Sequence, residues 1–471
     1  MRMPGRLTPP LILTLAMACT SSTGDDARPP DPGIAFTHVN VVPMDGERTL
    51  TDHTVIVHDG VIAAVGHSDA LDVPAGAQTI DGSGAWLLPG LTDFHVHLRS
   101  TDELLSYLAH GVTTIVHLSG AMGGAPDVLA YRDQLANGQR PGPTLYTTGP
   151  ILDGDPPIFG GVSVVVTSPE EASRVVAGQK QDGYDFIKVY NNLRPEVLLA
   201  VTESARQQGM AVIGHIPRIA GRADALQRAL AAGQDVIAHG EEYFFTYFYA
   251  GVDSLLDLGR VPFVDDRAIP DAVRMTRAAE TAVIPNLSFV AMTRRQLDDL
   301  VSVFSDPEMS YLPVGVLEMW QDQTPGRRAD RDRFDRREVA KYAFLKNLTL
   351  ALRDGGVPLL LGTDASAPGV FPGRSAHLEL SELVAAGLTP YEAIAAGTRA
   401  AGVFIGRHVP SVIPFGLVAP GYRADLILVR ANPLDDVGNL AMIEGVMARG
   451  AWFSIDELRA KRDSIVASRL R

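Results

Sequence analysis

The chain has one cysteine, Cys19, in 471 residues, which excludes an internal disulfide framework and any cysteine-based zinc cluster. Basic residues are also in the minority. With 41 Lys and Arg against 55 Asp and Glu the formal net charge is −14, a balance that opposes polyphosphate binding and speaks against any nucleic-acid partner. A small-molecule substrate is the expected partner; the oligomeric state is left open. No G-x-G-x-x-G or P-loop pattern follows any expected strand, which weakens nucleotide binding, and no short-period repeat is present. Beyond the N-terminus no apolar run approaches the roughly 18 residues needed to cross a bilayer. What is there, 46% apolar and 20% charged residues, is the composition of a folded globular protein.

At the N-terminus Arg2 and Arg6 precede the apolar run Leu11 to Ala18, too short for a span but suited to a secretory signal peptide over residues 1–18. Ala16-Met17-Ala18 forms an A-x-A cleavage site. Cys19 directly after it resembles a bacterial lipoprotein signal, with Ala16 where a Leu is usual, so a membrane tether through lipidated Cys19 and incidental cysteine after simple cleavage both stay open. Either way the protein is expected in the periplasm or cell envelope, or secreted, and Cys19 is not catalytic. Residues 19–33 are small, polar and Pro-rich, the composition of a linker.

From Ile34 to about residue 89, short β-rich runs are punctuated by Asp45-Gly46, Asp59-Gly60 and Asp81-Gly82, which read as hairpin turns. Residues 405–455 have the same character and a helix is expected over 456–471. The two β-rich pieces predict one small β-sandwich fed from both ends. Between them, residues 90–404 alternate strands with amphipathic helices such as Glu170 to Gln181, Pro195 to Gln208 and Arg222 to Ala232. The strands expected are Thr92 to His97, Val112 to Leu118, Thr144 to Thr148, Asp185 to Tyr190, Ala211 to Ile216, Asp235 to His239, Ala282 to Leu287 and Pro358 to Thr363. Strand then helix, eight times over, predicts an α/β fold of (β/α)8 TIM-barrel type, with an open doubly wound sheet as the competitor.

The chemistry-bearing residues fall at the ends of these strands. His95 and His97 are two apart on an extended segment, so their side chains share a face and can hold one ion. Lys188, His215, His239 and Asp364 each end a further apolar strand. An ionisable group at such a place is costly unless paired or metal-bound, and a barrel gathers all these ends at the face where barrel enzymes work. Imidazoles with a carboxylate suit Zn²⁺ and similar ions, and the lack of thiols points to a catalytic site.

These motifs, LLPGLTDFHVH, HGVTTIVHL, DFIKVY, IGHIP, IAHGEE, LLLGTDAS and GLVAPGYRADLIL, resemble the amidohydrolase superfamily of metal-dependent hydrolases over nearly all of residues 34–455, and most of all its imidazolonepropionase-like and prolidase-like branch. The resemblance implies two divalent metal ions, Zn among the candidates. His95, His97 and Asp364 would hold the more buried one, His215 and His239 the more exposed one, and Lys188 would bridge both as a CO2-derived carbamate. The alternative for Lys188 is an acid-paired lysine in a mononuclear site. Asp364 would move the proton during hydrolysis.

Other residues carry weaker signals. Tyr190, two beyond Lys188, reads either as a hydrogen-bond donor to a polarised carbonyl or as a packed rim aromatic. Arg374 and His377, in the loop after the eighth strand, are candidates for gripping a substrate carboxylate, against the plainer reading of solvent-exposed loop residues. His38, His53, His58, His67, His110 and His408 read as surface or packing residues. His117 ends the second strand without an implied role. The aromatic cluster Glu241 to Tyr249, directly after His239, lines either a substrate entrance or a helix face, and Gly326 to Arg337 mixes charge signs as a solvated helix does. The function expected is an exported binuclear amidohydrolase that cleaves a dipeptide, N-acyl amino acid or related carboxylate-bearing amide. A cyclic amide or lactone hydrolase and a non-catalytic binding protein are the alternatives.

Overall fold

The computed structural model describes residues 32–120, 128–220, 224–245, 266–329 and 331–469, with side chains undescribed over 322–337. The expected signal peptide, Cys19, nearly all of the linker, and residues 246–249 of the aromatic run lie outside the described residues. No helix among those described is long and apolar enough to cross a membrane.

Ile34–Val41, Leu50–His58 and Val61–His67 pair as an antiparallel meander. Gln78–Asp81 and Trp86–Pro89 both add in parallel to the free edge of the first strand. The C-terminal strands Leu426–Val429, Ile443–Ala448 and Ala451–Ser454 continue from Trp86–Pro89, so both ends of the chain build one eight-stranded sheet. The expected sandwich of two facing sheets is thus replaced by a single paired sheet. Val61 at its far strand bridges Arg423, and Phe36, Val55, Leu87, Leu426 and Met447 pack into one buried cluster. Arg423, stacked 4.3 Å over Phe415, donates to Asp425 at 2.6 Å and to Thr114 at 2.9 Å. That buried fork fastens the sheet to the middle of the chain.

The middle is a TIM-barrel-like α/β arrangement of parallel strands. Leu91–Val96, Val112–His117 and Thr144–Thr147 form one sheet; Phe186–Val189, Ala211–Gly214, Val236–Ala238 and Ala282–Ile284 belong to another. Two short strands unforeseen in the sequence, Ile151–Asp153 and Ser163–Val165, extend the second sheet. The strand expected at Ala282 to Leu287 stops early because Asn286 turns left-handed at φ 57° and the helix Leu287–Asp298 begins. The eighth segment, expected as a strand over Pro358 to Thr363, carries no regular strand. It is extended chain held by single bridges, Leu359 to Val283 on one side and Ala365 to Val96 on the other.

The seam between the first strand and the eighth segment sets the site. The Phe94 amide donates to the Leu361 carbonyl at 2.7 Å and the Asp364 amide to His95 at 2.8 Å. Buried Asp93 ties the two further: it accepts the Thr363 amide at 3.0 Å, the Thr363 hydroxyl at 2.6 Å and the His95 amide at 3.3 Å. Gly362 permits the approach, since a Cβ there would meet Ile284 at 2.7 Å and His95 at 3.0 Å. Helix Leu287–Asp298 is capped from a distance by buried Glu379, which accepts the Leu287 and Ser288 amides at 3.1 and 2.7 Å, two donors that would otherwise be unsatisfied at its N-terminus.

Burial pushes the Glu379 carboxyl up to about 7 against those hydrogen bonds. Its ionised form is therefore less favourable in the fold than in the unfolded chain, and the group lowers stability as pH rises from about 4 to about 7, with no further change above. Chemical denaturation should show this slope in the wild type and a flatter profile in Glu379→Gln. Glu379→Ala should lower stability by about 1–3 kcal/mol through the orphaned amides.

Candidate metal centre

His95 lies near the end of the first strand and His97 one residue past it. Their Nε2 atoms are 3.2 Å apart, and Asp364 Oδ1 stands 3.4 Å from the first and 3.0 Å from the second. Two imidazole nitrogens and one carboxylate oxygen converging this way form the donor set of a divalent cation. Their protonation states agree with that role. Burial, then the fields of Lys188 and the neighbouring imidazoles, holds His95 well below the usual histidine range, so it presents a lone pair. Burial alone would raise Asp364, but the hydrogen bond and charge of His97, with His239 and Lys188, bring it down to about 2.

Lys188 sits in strand Phe186–Val189 with 1% of its surface exposed. Burial pushes it down to about 8, against the opposing pull of Asp364 and Glu242, so a neutral amine is accessible near neutral pH. The next strand ends in Gly214, where a Cβ would meet the Val189 carbonyl oxygen at 2.1 Å, and His215 follows. The His215 and His239 rings lie 4.9 Å apart and those of His239 and His95 4.5 Å apart, making a continuous arc. His239 and Asp364 both take left-handed backbone, at φ 84° and 65°, conformations that non-glycine residues hold only where the surroundings enforce them.

The outer partners of the two histidines orient their lone pairs. His215 Nδ1 donates to Asn191 Oδ1 at 3.0 Å and faces Glu242 Oε1 at 3.1 Å, which leaves Nε2 as the acceptor pointing inward. Glu242, 1% exposed, is raised by burial but held well below the usual carboxylate range by Arg218 and His215; Arg218 binds its other oxygen at 2.6 Å. His239 Nδ1 lies 3.2 Å from the Asn286 amide nitrogen, while the buried Asn286 Oδ1 has no partner. A half-turn of that amide brings Oδ1 to Nδ1, satisfies both groups, and frees the His239 Nε2 lone pair. The donor set therefore fits divalent metal.

His97, Lys188, His215, His239 and Asp364 open onto a cavity of about 640 Å³. Tyr190 lines it with its ring 3.9 Å from that of His215, and burial, then Asp364 and Glu242, raises its phenol far above the usual range, so it stays a proton donor. Ile158, Phe159, Phe289 and Met319 supply apolar wall. A Ser119–His117 contact at 3.1 Å also borders the cavity, but His117 Nδ1 accepts the Leu98 amide at 3.1 Å. Its Nε2 must then carry the proton, so this histidine cannot serve as base for a serine nucleophile.

A family model described as the amidohydrolase family matches residues 86–453. The chain belongs to the amidohydrolase family. Among its relatives, the ochratoxinase of Aspergillus niger is 25% identical over 84% of this chain and 81% of its own. The imidazolonepropionase of Ralstonia nicotianae is 27% identical over 88% of this chain and 97% of its own. Among solved structures, bottromycin amidohydrolase superposes with a TM-score of 0.70 at 26% identity, covering 92% of this chain and 91% of that one. This amidohydrolase is thus an enzyme of the hydrolase class foreseen in its motifs, and its α/β core follows the family fold.

Two expected site residues of the amidohydrolase lie elsewhere. Arg374 opens the helix Arg374–Ala385 and pairs with Asp306, while His377 donates from Nε2 to the His110 carbonyl at 2.8 Å. Both line a separate cavity of about 470 Å³ and neither borders the metal cavity. The loop after the eighth segment turns away from the strand ends into that helix, which sequence distance could not show. In their place the metal cavity holds Arg99, to which the reading of the sequence gave no role, and Glu241, the first residue of the cluster expected at an entrance or a helix face. Arg99 lies two residues beyond His97, in the H-x-H-x-R spacing that was the available signal, and its guanidinium has no ion-pair partner among the described residues.

Glu242→Gln removes the charge that orients and polarises His215. It should weaken metal binding about 10–100-fold, measured by competition with a chromophoric chelator on folded protein.

Proposed function

We propose that the protein is a metal-dependent amidohydrolase that cleaves a small amide bearing a free carboxylate, a dipeptide or N-acyl amino acid. The observation that carries this reading is the convergence of His95, His97 and Asp364 with His239, His215 and Lys188 beside a cavity that also holds Arg99, which has no ion-pair partner among the described residues. The reading takes the eight parallel segments as a closed (β/α)8 barrel, supported by the bridges Thr148 to Phe186, Val283 to Leu359 and Val96 to Ala365.

His95, His97 and Asp364 would hold one ion, His215 and His239 a second, and Lys188, as its carbamate, would lie between them; Zn²⁺ suits such donors. When bound, the metal supplies Lewis-acid activation of water and of the scissile carbonyl at neutral pH. Asp364, low in pKa and hydrogen-bonded to His97, takes the proton of the attacking water and returns it to the leaving nitrogen. Tyr190, kept protonated, donates a hydrogen bond to the carbonyl oxygen as negative charge develops. Arg99 takes the substrate carboxylate in a bidentate grip, the task first assigned to Arg374. Export by a cleaved or lipidated N-terminus completes the proposal, supported by Ala16-Met17-Ala18-Cys19.

The deciding experiment is release of free amine from a library of dipeptides, N-acyl amino acids, cyclic amides and lactones, with and without chelator. Chelator-sensitive turnover of carboxylate-bearing linear amides is expected, and turnover of none of the four classes sinks the enzyme reading. Arg99→Met should raise KM about 10–100-fold for carboxylate substrates and far less for their methyl esters. Elemental analysis should find close to two divalent ions per chain, falling by at least half in Lys188→Ala. A single ion unaffected by that change would favour the mononuclear site.

A further inference from the structure

Glu241 follows His239 by two residues, opens the turn Glu241–Tyr243, and lines the metal cavity. Its Oε2 accepts from Lys341 Nζ at 2.8 Å, and the same Nζ lies 2.8 Å from Glu338 Oε2. Lys341 is 3% exposed and Glu241 17%. Lys341 fixes the Glu241 carboxylate in place, and the field of Glu241 is felt at both His239 and Tyr190.

Paired with Lys341 through Oε2, the Glu241 carboxylate still borders the cavity and has acceptor sites left for a second cationic donor there. The metal donors have their own anions in Asp364 and the Glu242 that backs His215. The remaining cation of the cavity, Arg99, serves a carboxylate in the function proposed above. The cavity walls therefore carry one anchor of each sign, Arg99 and Glu241, around the donors His97, His215, His239, Lys188 and Asp364. A molecule with a carboxylate at one end, an ammonium at the other and an amide between is complementary to that layout.

We propose that Glu241, held by Lys341, is the receptor for the substrate's free α-ammonium group, so that the enzyme is built for zwitterionic dipeptides over N-acylated amino acids. This rests on the amidohydrolase function proposed above and narrows it. An N-acetyl group would bring a bulkier, neutral amide to a carboxylate set to receive a cation, the kind of mismatch by which polar sites reject analogues.

The test compares kcat/KM for a dipeptide and its N-acetyl derivative in the metal-loaded wild type and in Glu241→Gln, which keeps the shape and a hydrogen bond. The wild type is expected to prefer the free amine at least tenfold, and the variant to lower that ratio at least tenfold. A purely structural Glu241 would reduce both substrates alike and leave the ratio standing, which overturns the assignment, as does a wild type that favours the N-acetyl compound or treats the two equally. Should the variant fail to fold, the wild-type ratio decides. If the wild type turns over neither compound, the proposed function fails, and calorimetric binding of the same pair decides for Glu241. Amine-dependent binding that Glu241→Gln abolishes retains it; equal or absent binding rejects it.

Discussion

Asp93 accepts three hydrogen bonds inside the protein, two from Thr363 and one from the amide of His95, and through them the first strand and the eighth segment are held in one register. That register decides whether a metal site exists at all. A shift of one residue along extended chain turns every side chain to the other face, which would carry His95 and His97 away from Asp364. The eighth segment forms no regular strand, yet backbone bonds tie it to both neighbours, Phe94 to Leu361 and Asp364 to His95 on one side and Val283 to Pro358 and Leu360 to Val283 on the other, and the side-chain bonds of a buried acid reinforce that register. The cost is a carboxylate taken out of water, and burial accordingly raises Asp93 to about 7 despite its hydrogen bonds. Three donors on one acceptor make that burial tolerable.

The same economy of buried charge runs through the centre. Four imidazoles gathered beside a lysine cannot all be protonated, and burial with mutual repulsion drives His95, His215 and His239 to the neutral form. Neutral imidazole is the ligand state. Glu242 and Asn286 then choose which nitrogen keeps its proton, Glu242 by facing His215 Nδ1 at 3.1 Å and Asn286 by its amide against His239 Nδ1. Metal affinity is thus prepared by desolvation and directed by a ring of partners that never touch the substrate.

Much of this was legible before any coordinates. An apolar run ending in an ionisable residue is a local signal, and it marked Lys188, His215, His239 and Asp364, which the fold brings to one cavity. Helices with clear punctuation were equally plain: Pro169–Asp182 starts after Ser168, whose hydroxyl accepts the Glu171 amide at 3.2 Å, and stops at Gly183 with φ 93°. The failures share a different cause. Arg374 was assigned by proximity in sequence to the eighth strand, yet its place is set by Asp306, a residue of a distant segment. Asp93 and Glu242 take their meaning from Thr363 and from Arg218 and His215, partners scattered along the chain. Glu241 depends on Lys341, a hundred residues away in sequence. Arg99 carried a spacing signal, but what makes it notable is the company it keeps in the cavity. The paired sheet departed from the expected sandwich because both Gln78–Asp81 and Trp86–Pro89 chose the same edge of the first strand, a choice that hydrophobic alternation leaves open.

The two cavities show how charge pairing separates structure from chemistry. In the 470 Å³ cavity Arg374 meets Asp306, Arg462 meets Glu308, and His110 lies 3.6 Å from the same Glu308. Around it Arg462 stacks 3.6 Å over Tyr311, whose hydroxyl donates to Asp463 at 2.8 Å. These are opposite charges satisfied by one another, and what they join is the C-terminal helix Ile455–Arg469 to the turn Pro307–Tyr311; Arg469 extends the seam to Asp102 at 2.9 Å. A pair that is already complete offers a ligand little, because binding would have to replace a protein contact of similar strength. At the strand ends the pairing is incomplete by construction. His95, His215 and His239 are pushed toward the neutral form beside an ionised aspartate, Lys188 sits near the edge of losing its proton, and Arg99, without an ion-pair partner among the described residues, borders the open volume together with the Lys341-held Glu241. Groups left in that condition gain most from an incoming cation and a zwitterion, so the chemistry belongs to this cavity while the other serves as a clasp.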